Sequence, residues 1–246
     1  MSWSWRIGRL AGIDIYVHGT FYLLLAWEAL RRYLARGDPA DVISGLAFIL
    51  TLFGIVTLHE LGHALAARSY GVRTRDIVLL PIGGVARLER MPRDPVQELV
   101  VALAGPAVNV ALAAGIYLVL ALGRGPSQFG EALGVGAGFL DRLFWVNVSL
   151  AAFNLIPAFP MDGGRVLRAV LAMRLDYVRA TEVSASVGQG LALLFGVLGI
   201  IYNPFLIFIA LFVWLGAAEE ARAVQVGPYQ GGLRSRHGVG PGRRSI

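Results

Sequence analysis

From Val42 to Leu58 the chain carries no charged side chain, and the run ends in His59-Glu60-Leu61-Gly62-His63. So apolar a stretch has no stable place in water unless it is buried. Wound as a helix it covers most of the thickness of a bilayer. Two further runs are longer still: 24 uncharged residues from Leu99 to Leu122 and 36 from Val183 to Ala218. Hydrocarbon offers no partners for backbone amides, so runs of this kind span as helices. Charged residues make up 15% of the 246, against roughly 25% in soluble domains, and the mean hydropathy is +0.63.

The expected fold class is therefore an all-α polytopic membrane protein of about six transmembrane helices. The spans fall near 13–30, 42–67, 97–122, 141–159, 183–202 and 204–220. Between spans 2 and 3, residues 72–91 are β-branched and apolar with Pro81 and Gly83-Gly84 in the middle, a strand–turn–strand signal for a short β-hairpin. Residues 1–14 read as an interfacial lead-in to a retained first span, and 31–41 as a polar loop. Residues 123–138 read as a Gly-rich loop, and Pro160 to Gly164 as an unwound segment at membrane depth. The polar tail 221–246 is expected to be disordered.

All 22 basic residues are Arg. With the N-terminus inside, inner segments hold 17 of them and outer segments 4, with Arg142 at a span edge. That asymmetry predicts a multi-pass protein of the cell membrane with both termini cytoplasmic and His63 towards the cytoplasmic side. It ties the net charge of +6 to the lipid bilayer, and no nucleic-acid partner is expected. The absence of Cys excludes disulfides, thiolate ligands and thiol nucleophiles.

His59 and His63, four residues apart on a helix, share a face and can present two imidazole nitrogens to one Zn²⁺, with Glu60 beside it as general base. Ionisable groups inside a span are costly and point to function. A catalytic zinc needs a third protein ligand. A third histidine at the metzincin spacing is ruled out, because Ser69 and Ala66 stand where His and Gly are required. Glu89, Glu98 and Asp162 remain open on spacing alone. His18 reads as a helix cap or interfacial residue, Asn109 as packing between helices, Glu28 as a side chain snorkelling to the outer interface, and His237 as part of the tail.

Three ordered motifs carry a resemblance: HELGH at 59–63, AGPAVN at 104–109 and FNLIPAFPMDGGRVLRA at 153–169. With VHGTF at 17–21 and the 72–91 hairpin, they resemble the site-2 protease family of intramembrane zinc metalloproteases, peptidase family M50, over residues 7–220. The resemblance implies one zinc per chain held by His59, His63 and Asp162, with Glu60 as general base and acid. It gives Asn154 a catalytic place as a polar group steadying the substrate carbonyl or oxyanion. It also implies regulated proteolysis of a transmembrane protein substrate, such as a membrane-held transcription regulator or anti-sigma factor. Many such proteases continue into paired CBS domains. Here residues 212–226 look like the entry to that region, and the Gly/Arg-rich tail that follows is expected to hold none. An edge of the 72–91 hairpin would receive an unwound substrate by strand addition. Competing readings are a CAAX-type membrane zinc protease using Glu89 or Glu98, and a catalytically silent membrane chaperone or metal transporter.

Overall fold

The computed structural model describes residues 3–81, 83–90, 92, 94–124 and 138–226. The expectations for most of the 123–138 loop, for the tail beyond 226 and for His237 lie outside the described residues. The chain divides into two compact units, Met1–Ile156 and Pro157–Ile246.

The first unit begins with strands β1 (Ser4–Leu10) and β2 (Ile13–His18), joined by Ala11 and Gly12 at φ 50° and 87°. A two-residue turn with both φ values positive matches the twist of an antiparallel pair. In β2, Ile13, Ile15 and Val17 are buried and alternate with half-buried residues, the period of a strand with one face on a core. This corrects the expected start of the first span at residue 13: helix α1 is Gly19–Arg36, capped by His18, whose Nδ1 accepts from the Thr20 amide.

Helix α1 also runs through most of the expected 31–41 loop. Glu28 binds Arg31 at 2.8 Å and Arg32 at 2.6 Å. Arg32 and Arg36 in turn reach Asp41 at 3.2 and 3.1 Å. These i+3 and i+4 pairs let a charged sequence remain helical, and they hold Glu28 in an ion-pair cluster. The chain then reverses in two residues, with Gly37 left-handed at φ 65° and Asp38 capping α2 (Pro39–Ser69) by accepting from the Ala40 amide.

Strands β3 (Thr74–Leu80) and β4 (Gly83–Leu88) form the expected hairpin. They belong to a larger, four-stranded sheet of order β1-β2-β3-β4, because β2 pairs in parallel with β3 (Ile15 opposite Ile77). The helices α1 and α2 supply the crossover a parallel pair needs. Ile13, Ile15, Val17, Ile77 and Leu79 pack with Phe21, Phe53 and Ala64, with the rings of Phe21 and Phe53 edge-on at 4.4 Å. The sheet is thereby fastened to α1 and α2, with β4 beside the Glu60 turn. Helices α3 (Pro95–Arg124) and α4 (Phe139–Asn154) complete the unit.

The second unit opens with the non-helical residues 157–161 leading into α5 (Asp162–Ala172), so Asp162, Gly163 and Gly164 form the first helical turn rather than an unwound segment. The Phe159–Pro160 peptide is cis. The long uncharged run folds as α6 (Tyr177–Ile201) and α7 (Phe205–Val226), divided at Asn203-Pro204, where Asn203 Oδ1 accepts from the Phe205 amide at 3.0 Å. Among the described residues the molecule is thus mostly helical, with seven helices and one small sheet. Three of the helices (α2, α3 and α6) are long and apolar enough to cross a membrane.

Candidate metal centre

Helix α2 brings His59 and His63 to one face, both buried. Their outer nitrogens are engaged by α3. His59 Nδ1 lies 2.8 Å from Asn109 Oδ1, and His63 Nδ1 lies 2.7 Å from the Val101 carbonyl. Both partners accept, so each Nδ1 carries the proton and each Nε2 is left with a lone pair. Those two Nε2 atoms face each other at 3.1 Å. Two lone pairs at that distance repel unless a cation lies between them. Two Zn–N bonds at a tetrahedral angle would set the nitrogens about 3.3 Å apart, so the pair fits zinc.

Room for an ion is made by Gly105. A Cβ on Gly105 would stand 2.2 Å from His63 Nε2 and 2.7 Å from His59 Nε2, inside the space that a shared ion would use. Gly62 has a matching role at the backbone, since its Cβ would come 2.7 Å from the Ala104 carbonyl oxygen. Small residues at both positions let α2 and α3 close to contact.

Glu60 reaches the sheet: its Oε2 accepts from the Ala86 amide of β4 at 2.9 Å. A Cβ on Gly84 would meet Glu60 Cγ at 2.8 Å. The carboxylate beside the histidines is therefore tethered to an edge strand. Nearby on β3 and β4, the Arg87 guanidinium is bonded to the buried Asp76 carboxylate, which raises the arginine above its usual value.

Of the other singled-out residues, His18 caps α1. Asn154 ends α4 with its Nδ2 donating to the Leu150 carbonyl at 3.0 Å. Glu89 is exposed just past β4, and Glu98 is fully buried in the first turn of α3. Asp162 is buried at the first position of α5 in the second unit. Asn109 does bond across helices, and its partner is a candidate ligand. Val101 and Ala86 escaped the sequence reading, which met Gly105 only as a small residue of the AGPAVN motif. The signal available was a lone Asn one turn beyond a Gly-Pro pair in an otherwise apolar span, where a buried amide must find a partner.

A His-Glu-x-x-His pair on an apolar helix, its tautomers fixed by a neighbouring helix, defines a metalloenzyme centre of the membrane-embedded kind. The family model of peptidase family M50 matches residues 47–137 and 131–195. The chain belongs to peptidase family M50, the site-2 proteases, which are zinc metalloproteases, and it is a multi-pass membrane protein. It is 40% identical over 229 residues to a zinc metalloprotease of Methanocaldococcus jannaschii, covering 92% of this chain and 63% of that protein. The chain spans about six-tenths of the length of the curated relatives it matches. The solved structure of the site-2 protease from Methanocaldococcus jannaschii superposes with a TM-score of 0.62 at 37% identity, covering 92% of this chain and 98% of that one.

Proposed function

We propose that this protein is a zinc-dependent intramembrane endopeptidase that hydrolyses peptide bonds within transmembrane segments of other proteins. The observation that carries the reading is the pair of Nε2 lone pairs converging at 3.1 Å with Glu60 on the intervening turn. Asp162 is the third ligand. It is buried like the two histidines, and each of the three offers one ligand atom. Glu98 is buried too, but it does not lie within the FPMDGG motif that marks Asp162, and Glu89 is exposed.

Bound zinc supplies Lewis acidity towards a peptide carbonyl and lowers the pKa of water to about 7. Glu60 then takes the proton from the attacking water and returns it to the leaving amine. Its tether to the Ala86 amide fixes one carboxylate oxygen against β4. Asn154 has an amide donor to offer an oxyanion once it leaves its own helix carbonyl. A substrate helix must unwind first, since its carbonyls are bonded internally. The β3–β4 hairpin offers a strand edge to the freed backbone, and Ala86, whose amide points away from β3, marks that edge.

Six membrane helices (α1, α2, α3, α4, α6 and α7) agree with the charge asymmetry of 17 inner to 4 outer arginines. Both termini are then cytoplasmic in the cell membrane, with the centre towards that side. The substrates are membrane-held regulators, such as a transcription regulator or an anti-sigma factor. The test is a pair of measurements on purified wild type and Glu60→Gln: zinc content, and cleavage of a transmembrane reporter. Zinc in both with cleavage only by wild type is the expected result. Cleavage by the variant removes Glu60 from the chemistry.

A further inference from the structure

Arg168 takes no part in the centre described above, yet it is the largest fully buried side chain among the described residues. A guanidinium out of water is costly unless it is paired. Arg168 is paired on three sides. Its Nη1 binds the Glu220 carboxylate of α7, and its Cζ stands 5.1 Å over the Phe159 ring and 5.0 Å over the Tyr177 ring. Filling a cavity at that place needs no charge. What a planar cation adds is orientation: the carboxylate holds one end of the guanidinium, and two rings hold its faces.

Phe159 lies three residues before Asp162 and is itself buried. The segment it belongs to is received closely by α5 and α7. A Cβ on Gly164 would stand 2.6 Å from the Phe159 amide nitrogen, and one on Gly216 would stand 2.5 Å from Pro160 Cδ. Met161 at the N-cap of α5 makes no side-chain capping bond, and its backbone amide donates to the Ala158 carbonyl at 3.0 Å, next to Phe159. The position of the first helical turn, and with it the direction of the Asp162 carboxylate, is then set by how Phe159 is held.

We propose that Arg168, fixed by Glu220, is a positioning residue for Asp162, and that the α7–α5 contact thereby sets the affinity of the centre for zinc. The inference rests on Asp162 being a zinc ligand. The test uses the full-length protein in lipid nanodiscs. Zinc dissociation constants are measured by chelator competition for wild type, Glu220→Gln, Arg168→Lys and Asp162→Asn, together with the melting of the metal-free proteins. Arg168→Lys keeps the charge and loses the plane; Glu220→Gln keeps the shape and loses the charge. Each is expected to weaken zinc about tenfold, the low end for a group that orients a ligand, and by more than the accompanying fall in metal-free melting accounts for. If Asp162→Asn weakens zinc and the other two bind it as wild type does, the positioning role is overturned and the ligand stands. If Asp162→Asn binds zinc normally, the ligand reading falls and the inference with it. Zinc loss that only tracks a lower melting point of the metal-free variants also overturns it, because packing alone then accounts for Arg168.

Discussion

The sharpest consequence of the centre concerns a residue with no side chain. Replacing Gly105 by Ala places a methyl 2.2 Å from His63 Nε2 and 2.7 Å from His59 Nε2, where real Cβ atoms keep at least 3.0 Å. One ring must therefore retreat by about 0.8 Å. Metal–ligand distances tolerate only about 0.2 Å, so the retreating nitrogen ceases to be a ligand. Zinc affinity is expected to fall about 100-fold or more, beyond the range seen when a group that merely orients a ligand is lost. The metal-free fold should lose only about 1–3 kcal/mol, the usual cost of one added methyl in a packed interior. Gly115→Ala on the same helix is the control. Nothing lies within 4 Å of its Cβ, so it should bind zinc normally and gain roughly 0.5–1 kcal/mol of helix stability. Zinc stoichiometry by elemental analysis, affinity by chelator competition and reporter cleavage read out both variants. Full zinc and full cleavage by Gly105→Ala would refute the argument that the two Nε2 atoms share one ion over this glycine.

Three further outcomes follow from the same contacts. Asn109→Ala removes the acceptor for His59 Nδ1 and should weaken zinc roughly 10- to 100-fold, whereas Asn109→Asp keeps an acceptor and should restore most of it; equal losses in the two would show that orientation of His59 is not what Asn109 supplies. Ala86→Pro deletes the amide that holds Glu60 without deleting a bond to β3. Zinc content should be unchanged while cleavage falls roughly 10- to 100-fold, as expected for a misplaced base; unchanged cleavage would make the tether incidental, and would also count against a substrate strand on this edge. Arg87→Gln leaves the buried Asp76 carboxylate without its partner and should cost about 1–2 kcal/mol, discounted because the arginine is 36% exposed. The Asp76 carboxylate raises Arg87 above its ordinary value, so the stabilisation is complete below the usual arginine range and lost only as pH rises past it; the melting difference from wild type should be the same at about pH 7 and pH 10.

What could be read from the chain differs by the range of the physics involved. His59, Glu60 and His63 were legible because their geometry is fixed within one helical turn and the apolar setting made them costly. The β3–β4 hairpin was legible for the same local reason, with Pro81 and Gly83-Gly84 between two β-branched runs. Strand β2 was hidden. Its alternation covers only six residues (Ile13–His18) and merges into the apolar run of α1, while its partner β3 lies some sixty residues downstream. Hydropathy read the whole stretch as one span. The glycines after Asp162 misled in the opposite sense. Gly163-Gly164 looks like a helix break, but Gly164 lies within α5 because the backbone of residues 158–159 rests on it. That cause becomes visible only once the chain has folded back.

The same distinction explains why the metal centre is less a property of HELGH than of two helices. Val101, Gly105 and Asn109 are spaced by four along α3 and form one stripe. Asn109 faces His59, Val101 faces His63, and Gly105 lies between them. The hydrogen bonds thus pair the earlier histidine with the later α3 residue, so the two helices run in opposite directions where they meet. The motif on α2 supplies nitrogens but leaves their tautomers undetermined, and α3 determines them by offering acceptors alone. The convergence of the two Nε2 atoms is therefore arranged by α3 as much as by α2. A ligand set prepared in this way loses little freedom on binding. It follows that substitutions on the α3 stripe should act on zinc as strongly as substitutions beside the histidines themselves.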